Sequence, residues 1–144
     1  MTQEKELLLK DLCARMPYGV KIHAKYIDTD TNTEVEKVGV LSMIDNDIVV
    51  AFTCDDTNCY NYVAIHEVKP YLFPLSSMTE EQKKEYYNLC IEEEREQIEF
   101  GEWITRVYYH NTIESIDWLN KNHFDFRGLI PMGLANDATG LNIY

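Results

Sequence analysis

Four cysteines, four histidines and 25 carboxylates are the side chains through which this 144-residue chain could do chemistry. Cys54, Cys59 and His66 form its one metal-like cluster. Zinc favours thiolate and imidazole ligands, and a structural site takes four of them. A fourth would have to arrive from another element, as Cys13 or His23. The alternative is a strand cysteine, a turn cysteine and a histidine at a strand end. A cysteine nucleophile needs an activating base, and no local context singles one out. Cys13 and Cys90 fall on apolar helix faces, where a thiol behaves as a small hydrophobe. Ser76 and Ser77 stand before a helix start, without the strand–elbow–helix setting of a nucleophilic serine. The six glycines are scattered and form no phosphate-cradling loop. With so many acids, neighbouring carboxylates arise by chance, and no acid–base pair can be nominated. The expectation is no catalytic residue and no cofactor.

Binding chemistry is better represented. Trp118, His123, Phe124, Asp125, Phe126 and Arg127 fall within ten residues. Large aromatics beside an arginine are what interface hot spots are made of. Trp118, His123, Asp125 and Arg127 are therefore binding candidates, and Tyr71, between Pro70 and Pro74, joins them. The same segment also reads as a core anchor. In that reading Phe124 and Phe126 are buried, Asp125 satisfies backbone amides and Arg127 pairs with an acid from residues 80–102.

Charge narrows the partners. The formal net charge is −12. Nucleic acid is bound through a basic footprint, and so is an anionic membrane surface, so direct binding to either is not expected. The charge is also uneven. Residues 28–36 carry four acids and no base, and so do residues 45–56. Residues 80–102 carry nine acids against Lys83, Lys84 and Arg95. These regions read as two loops and a solvated helix face, or as a surface that meets a basic protein.

The elements that must position these residues follow from periodicity. Leu8, Leu9, Leu12, Cys13 and Met16 share one face of a helix over residues 3–16, which Pro17 ends. Alternation predicts strands at 20–27, about 35–44, 48–53 and 60–68, with polar turns between them. Four such strands suggest an antiparallel meander curled into a half-open barrel. Pro70 and Pro74 then stiffen an extended connector. Ser77–Glu80 and Thr79–Gln82 are overlapping capping boxes for an acidic helix to about Ile98, ended by Gly101. Residues 103–110 have strong β propensity but follow that helix directly, so strand and helix both stay open. Thr112 caps a short helix to about Asn122. An irregular tail covers about 131–144. The class is α+β in a single domain of residues 1–144. The longest apolar run, Ile48–Phe52, is far short of a membrane span. The first residues lack the basic-then-apolar order of a signal peptide. A cytoplasmic protein with reduced cysteines is the expectation.

Three segments stand out together: DLCARMPYGVKIH (11–23), VKPYLFPLSSMTEEQKKEY (68–86) and DWLNKNHFDFRGLIPMGLA (117–135). In that order they resemble a family of short uncharacterised proteins found in gut Bacteroidetes genomes, especially in phages, prophages and other mobile elements. The resemblance implies an intracellular protein of phage or mobile-element origin. It carries over no activity, cofactor or catalytic residue. Residues 28–60 and 88–110 lie outside it. The leading expectation is a non-enzymatic protein-binding module whose partner is another protein, one with a basic surface. An acidic mimic of nucleic acid that blocks a DNA- or RNA-binding protein is the alternative. A small-ligand protein or enzyme is the third.

Overall fold

The computed structural model describes residues 2–45, 49–54 and 60–144. It divides into two compact units. The first comprises Met1–Ser77 with His123–Tyr144, and the second Met78–Asn122.

In the first unit, helix α1 (Gln3–Arg15) starts at Thr2, whose hydroxyl accepts the Lys5 amide. That bond satisfies one of the donors a helix start leaves open. Leu8 and Leu12 are buried. Pro17 turns the chain into a single 3-10 turn, Met16–Tyr18. Strand β1 (Lys21–Asp28) buries Ile22 and Ala24 and turns Lys21, His23 and Lys25 to the other face. The period-2 pattern thus has its physical cause in one covered face. β2 (Thr33–Ile44) pairs antiparallel with β1, from Lys21↔Val40 to Asp28↔Thr33. Asp28 closes their turn by accepting the Asp30 amide.

β3 (Val49–Thr53) and β4 (Tyr60–Ala64) extend the sheet. The expected turn at 45–47 falls largely outside the described residues, as does the one at 55–58. Gly39 in β2 is required by close approach. A Cβ there would lie 2.5 Å from the Thr53 carbonyl oxygen.

Two expectations are corrected in this unit. The predicted strand 60–68 is divided by a 3-10 turn, Ile65–Glu67. The Glu67 carboxylate accepts the Ala64 amide and fixes that turn. The chain then enters a fifth strand, β5 (Val68–Leu72), where the sequence suggested only a stiff connector. β5 pairs with β1, not with β4. A two-residue strand, β8 (Asn136–Asp137), adds parallel to β5. The strand order is β4-β3-β2-β1-β5-β8, an open sheet with two edges, so the half-open barrel is overturned. Pro70 cannot donate a ladder bond, which suits an edge. Beside Pro70 the sheet is one, since β8 reaches only Tyr71 and Leu72.

The core lies on one sheet face. Val20, Ile22, Ala24, Leu41, Val50, Phe52, Ile65, Val68 and Leu72 meet Leu8 and Leu12 there, with Leu129 and Ala135 from the C-terminal segment. The tail is tied down. Ala135 and Ala138 are buried, and the Ala138 amide donates to the Leu72 carbonyl at 2.8 Å.

The second unit holds the larger correction. Helix α2 (Glu80–Leu89) starts at the Thr79–Gln82 capping box but ends at Leu89 rather than near Ile98. Residues expected to continue it form β6 (Ile91–Glu99), which pairs antiparallel with β7 (Glu102–Tyr109). The fold is therefore mixed α/β with a separate two-stranded sheet. The acidic helix face is an acidic strand. Gly101 explains the misreading. It has φ +83°, which suits both a helix C-terminus and the third position of a type II turn. Of the ambiguous residues 103–110, all but His110 settle as strand. α3 (Ile113–Lys121) follows its predicted Thr112 cap, whose hydroxyl accepts the Ser115 amide. Among the described residues, no helix is long and apolar enough to cross a membrane.

Candidate functional site: a buried charge cluster and an exposed hairpin

Most of the sequence-predicted binding residues of the first unit are occupied within it. Asp11 and Arg15 lie one helical turn apart on α1, and both are fully buried. Arg15 Nε donates to Asp11 Oδ1 and Oδ2 at 3.0 and 2.9 Å. Arg127 Nη1 donates to Asp11 Oδ1 at 2.7 Å. Arg15 Nη2 donates to the Phe124 carbonyl at 2.6 Å. The Phe126 ring lies 4.2 Å from the Arg127 guanidinium carbon and 5.7 Å from that of Arg15. Burial lowers the Arg15 pKa from its usual value, and the Asp11 carboxylate opposes the shift. Arg127 thus pairs with an acid on α1, not with one from residues 80–102.

Asp125 satisfies backbone amides, as the core-anchor reading expects. Its two carboxylate oxygens accept the Leu129 and Ile130 amides, both at 2.8 Å. Its own amide donates to the Phe73 carbonyl, while the Phe73 amide donates to the His123 carbonyl. Residues from all three segments that carry the family resemblance therefore meet here: Asp11 and Arg15, then Phe73, then His123–Arg127.

His123 sits at φ +61°, a left-handed conformation that histidine adopts more readily than bulky residues. Its ring stacks on Tyr144 at 3.9 Å between centroids. The Tyr144 hydroxyl accepts the Lys21 amide and donates to the Tyr71 carbonyl. His123 Nδ1 is buried without a hydrogen-bond partner. Burial, assisted by the Arg15 charge, lowers its pKa to about 4. The imidazole is neutral at pH 7.

A cavity of about 570 Å³ is lined by His23, His66, Glu67, Lys69, Tyr71 and Asp137, among others. It unites two sequence candidates, Tyr71 and His66. Its acids have internal duties: Glu67 caps Ala64, and Asp137 accepts the Thr139 amide. His23 Nε2 lies 3.6 Å from a Glu36 oxygen. Of the metal candidates, His66 is exposed in its 3-10 turn and Cys54 accepts from Asn61 Nδ2 at 3.7 Å. Cys59 lies outside the described residues. Among the described residues, no group of three or more histidine, cysteine or acidic side chains could hold a metal ion.

Trp118 belongs to the second unit, where it is buried 5.8 Å from the Tyr86 ring. Sequence reasoning missed the exposed feature of that unit, the β6–β7 hairpin. Alternation sorts its two faces. One carries Ile91, Glu93, Arg95, Gln97, Trp103, Thr105, Val107 and Tyr109. The other carries Glu92, Glu94, Glu96, Ile104, Arg106 and Tyr108. Both are solvent-facing. Trp103 is 56% exposed, Tyr109 67%, and Phe100 at the turn is fully exposed. Arg95 lies 5.4 Å from the Trp103 ring. Arg106 pairs with Glu96 at 3.1 Å, and His110 with Glu92 at 3.0 Å. The β propensity of residues 103–109 was the available signal, because a strand there needs a neighbour.

The fold and these sites define a mixed α/β protein with an internally locked first unit and an unpaired hairpin in the second. No family model matches the chain, no curated protein matches it, and no solved structure matches it.

Proposed function

We propose that this protein is a non-enzymatic binding module that docks on a partner protein with a basic surface, through the β6–β7 hairpin. One observation carries the reading. The hairpin exposes Ile98, Phe100, Trp103, Val107, Tyr108 and Tyr109 alongside six glutamates and only two arginines, a net charge of −4. A two-stranded hairpin is marginally stable alone and gains from a covering surface. Exposed aromatics clustered in this way mark interaction sites, and the excess acid selects a basic partner.

Glu92, Glu94 and Glu96 on one face form a row about 7 Å apart. That row favours mimicry of a nucleic-acid backbone as a second reading. It ranks second because Arg106 neutralises part of the row.

The test is photo-crosslinking. A benzophenone side chain replaces Phe100 in the full chain, with Tyr62 in β4 as the control position. In lysate of cells carrying the gene, position 100 is expected to capture basic proteins that position 62 does not. Capture should fall in about 1 M salt, where the screening length is about 3 Å. The same adducts from both positions, or none from position 100, would overturn the docking reading. Mimicry would be favoured if the captured protein lost its own DNA or RNA binding on addition of this chain.

A further inference from the structure

We infer that the outer edge of β6 accepts a third strand from the partner, an extended segment in which basic and apolar residues alternate. The inference rests on the hairpin being the docking element and specifies how it binds. The His110 amide donates to the Cys90 carbonyl at 3.0 Å, which makes Cys90 and His110 a hydrogen-bonded pair. Antiparallel ladders alternate. The amides and carbonyls of Glu92, Glu94 and Glu96 therefore turn toward β7, and those of Ile91, Glu93, Arg95 and Gln97 turn outward. The outward groups form an open ladder edge, because among the described residues this sheet consists of β6 and β7.

Side chains decide what can pair there. A strand laid beside β6 places every second residue next to Glu92, Glu94 and Glu96. Cross-strand neighbours of opposite charge stabilise a sheet, and like charges destabilise it. Lysine or arginine fits those positions. The remaining residues lie next to Ile91, Glu93, Arg95 and Gln97, where Glu93 and Arg95 together select no sign of charge, and a β-branched apolar residue suits the strand without adding a like-charge pair. The β7 edge is the poorer choice, since its central charge is Arg106. A second copy of this chain is also disfavoured, because β6 against β6 sets glutamate beside glutamate. The acidic edge thus resists self-association, a common protection for exposed strands, while it admits a basic strand.

The experiment follows amide hydrogen exchange by NMR in the full chain, with three synthetic peptides of roughly ten residues, an upper strand length. One alternates lysine and valine, one glutamate and valine, and one lysine and proline. The lysine–valine peptide should slow exchange of the Ile91, Glu93, Arg95 and Gln97 amides by at least about tenfold. The glutamate peptide should not bind. The lysine–proline peptide has the same charge but cannot complete a ladder, and should leave those amides exchanging freely. Glu93→Pro removes an outward donor and should weaken lysine–valine binding by about tenfold or more. Retained contacts between Gln97 and Trp103 would show that the variant's hairpin is intact. If they are lost, the wild-type exchange pattern decides.

Strand addition is overturned by absent lysine–valine binding, equal binding of the lysine–proline peptide, or protection appearing on β7. Crosslinks at position 100 that persist undiminished in Glu93→Pro would overturn strand addition and leave hairpin docking standing. Absence of those crosslinks in the otherwise wild-type chain would remove both.

Discussion

The first unit and the hairpin of the second use the same chemistry, carboxylate against guanidinium, in opposite settings. Asp11, Arg15 and Arg127 meet where Asp11 and Arg15 have no solvent contact. Glu96 and Arg106 meet with half of each side chain in water. Buried charges are costly unless paired, so removing one partner leaves an expensive orphan. Exposed pairs are solvated either way, and contribute little. The buried cluster therefore specifies structure, by tying α1 to the segment around Phe124. The exposed charges are free to specify a partner. The contrast also separates the candidate residues. Asp125, Arg127 and His123 are spent on the fold, while Trp103 and Phe100 remain available.

The largest expected effect breaks the buried side of this comparison. Asp11→Ala leaves Arg15 buried without its carboxylate and deprives Arg127 of the same acceptor. It should destabilise the protein by about 3–5 kcal/mol, read as a lower urea midpoint by circular dichroism. A loss below about 1 kcal/mol would show that the cluster does not hold the unit together.

Next comes acid. Folded His123 titrates near pH 4, and an unfolded histidine near its ordinary value of about 6.5. Between these values the unfolded chain binds more protons, so stability rises with pH. The neutral ring's contribution is intact above about pH 6.5 and lost as pH falls toward 4. Allowing for partial solvent contact, the loss is on the order of 2 kcal/mol. His123→Asn keeps a residue tolerant of positive φ and removes the titration. Its urea midpoint should fall less than the wild type's between pH 6.5 and 4.5. Parallel falls would place the acid sensitivity elsewhere.

The smallest stability effects sharpen the exposed side. Glu96→Gln and Trp103→Thr should each change folding stability by less than about 0.5 kcal/mol. Trp103→Thr should nevertheless abolish crosslinking from position 100. Full capture by this variant would mean that the aromatic face is not the contact.

What the sequence made legible was local. The Leu8–Leu12 spacing, the Val20–Ile27 alternation and the threonine caps at 79 and 112 each act within a few residues; each marks where its element lies, although the helix that Thr79 opens ends at Leu89 and not near Ile98. The backbone role of Asp125 was also legible, since a carboxylate four or five residues before unpaired amides can accept them. The partner of Arg127 was not. Asp11 is 116 residues away, and no local pattern records which acid an arginine will meet. β6 was illegible for a different reason. Both of its faces are solvated, so it lacks the apolar alternation that marks a half-buried strand, and its glutamates suit a helix better in isolation.

The sequence by itself determined the helix starts, the first three strands, the acid excess and the set of residues able to form a charged anchor. These depend on short-range sterics, capping and periodicity. Tertiary structure decided that β5 joins β1, that the sheet stays open, that Asp11 gathers two arginines and that residues 91–109 fold back as a hairpin. Each of these is a pairing between distant groups. Its energy comes from desolvation and ladder bonds that exist only once both partners are in place.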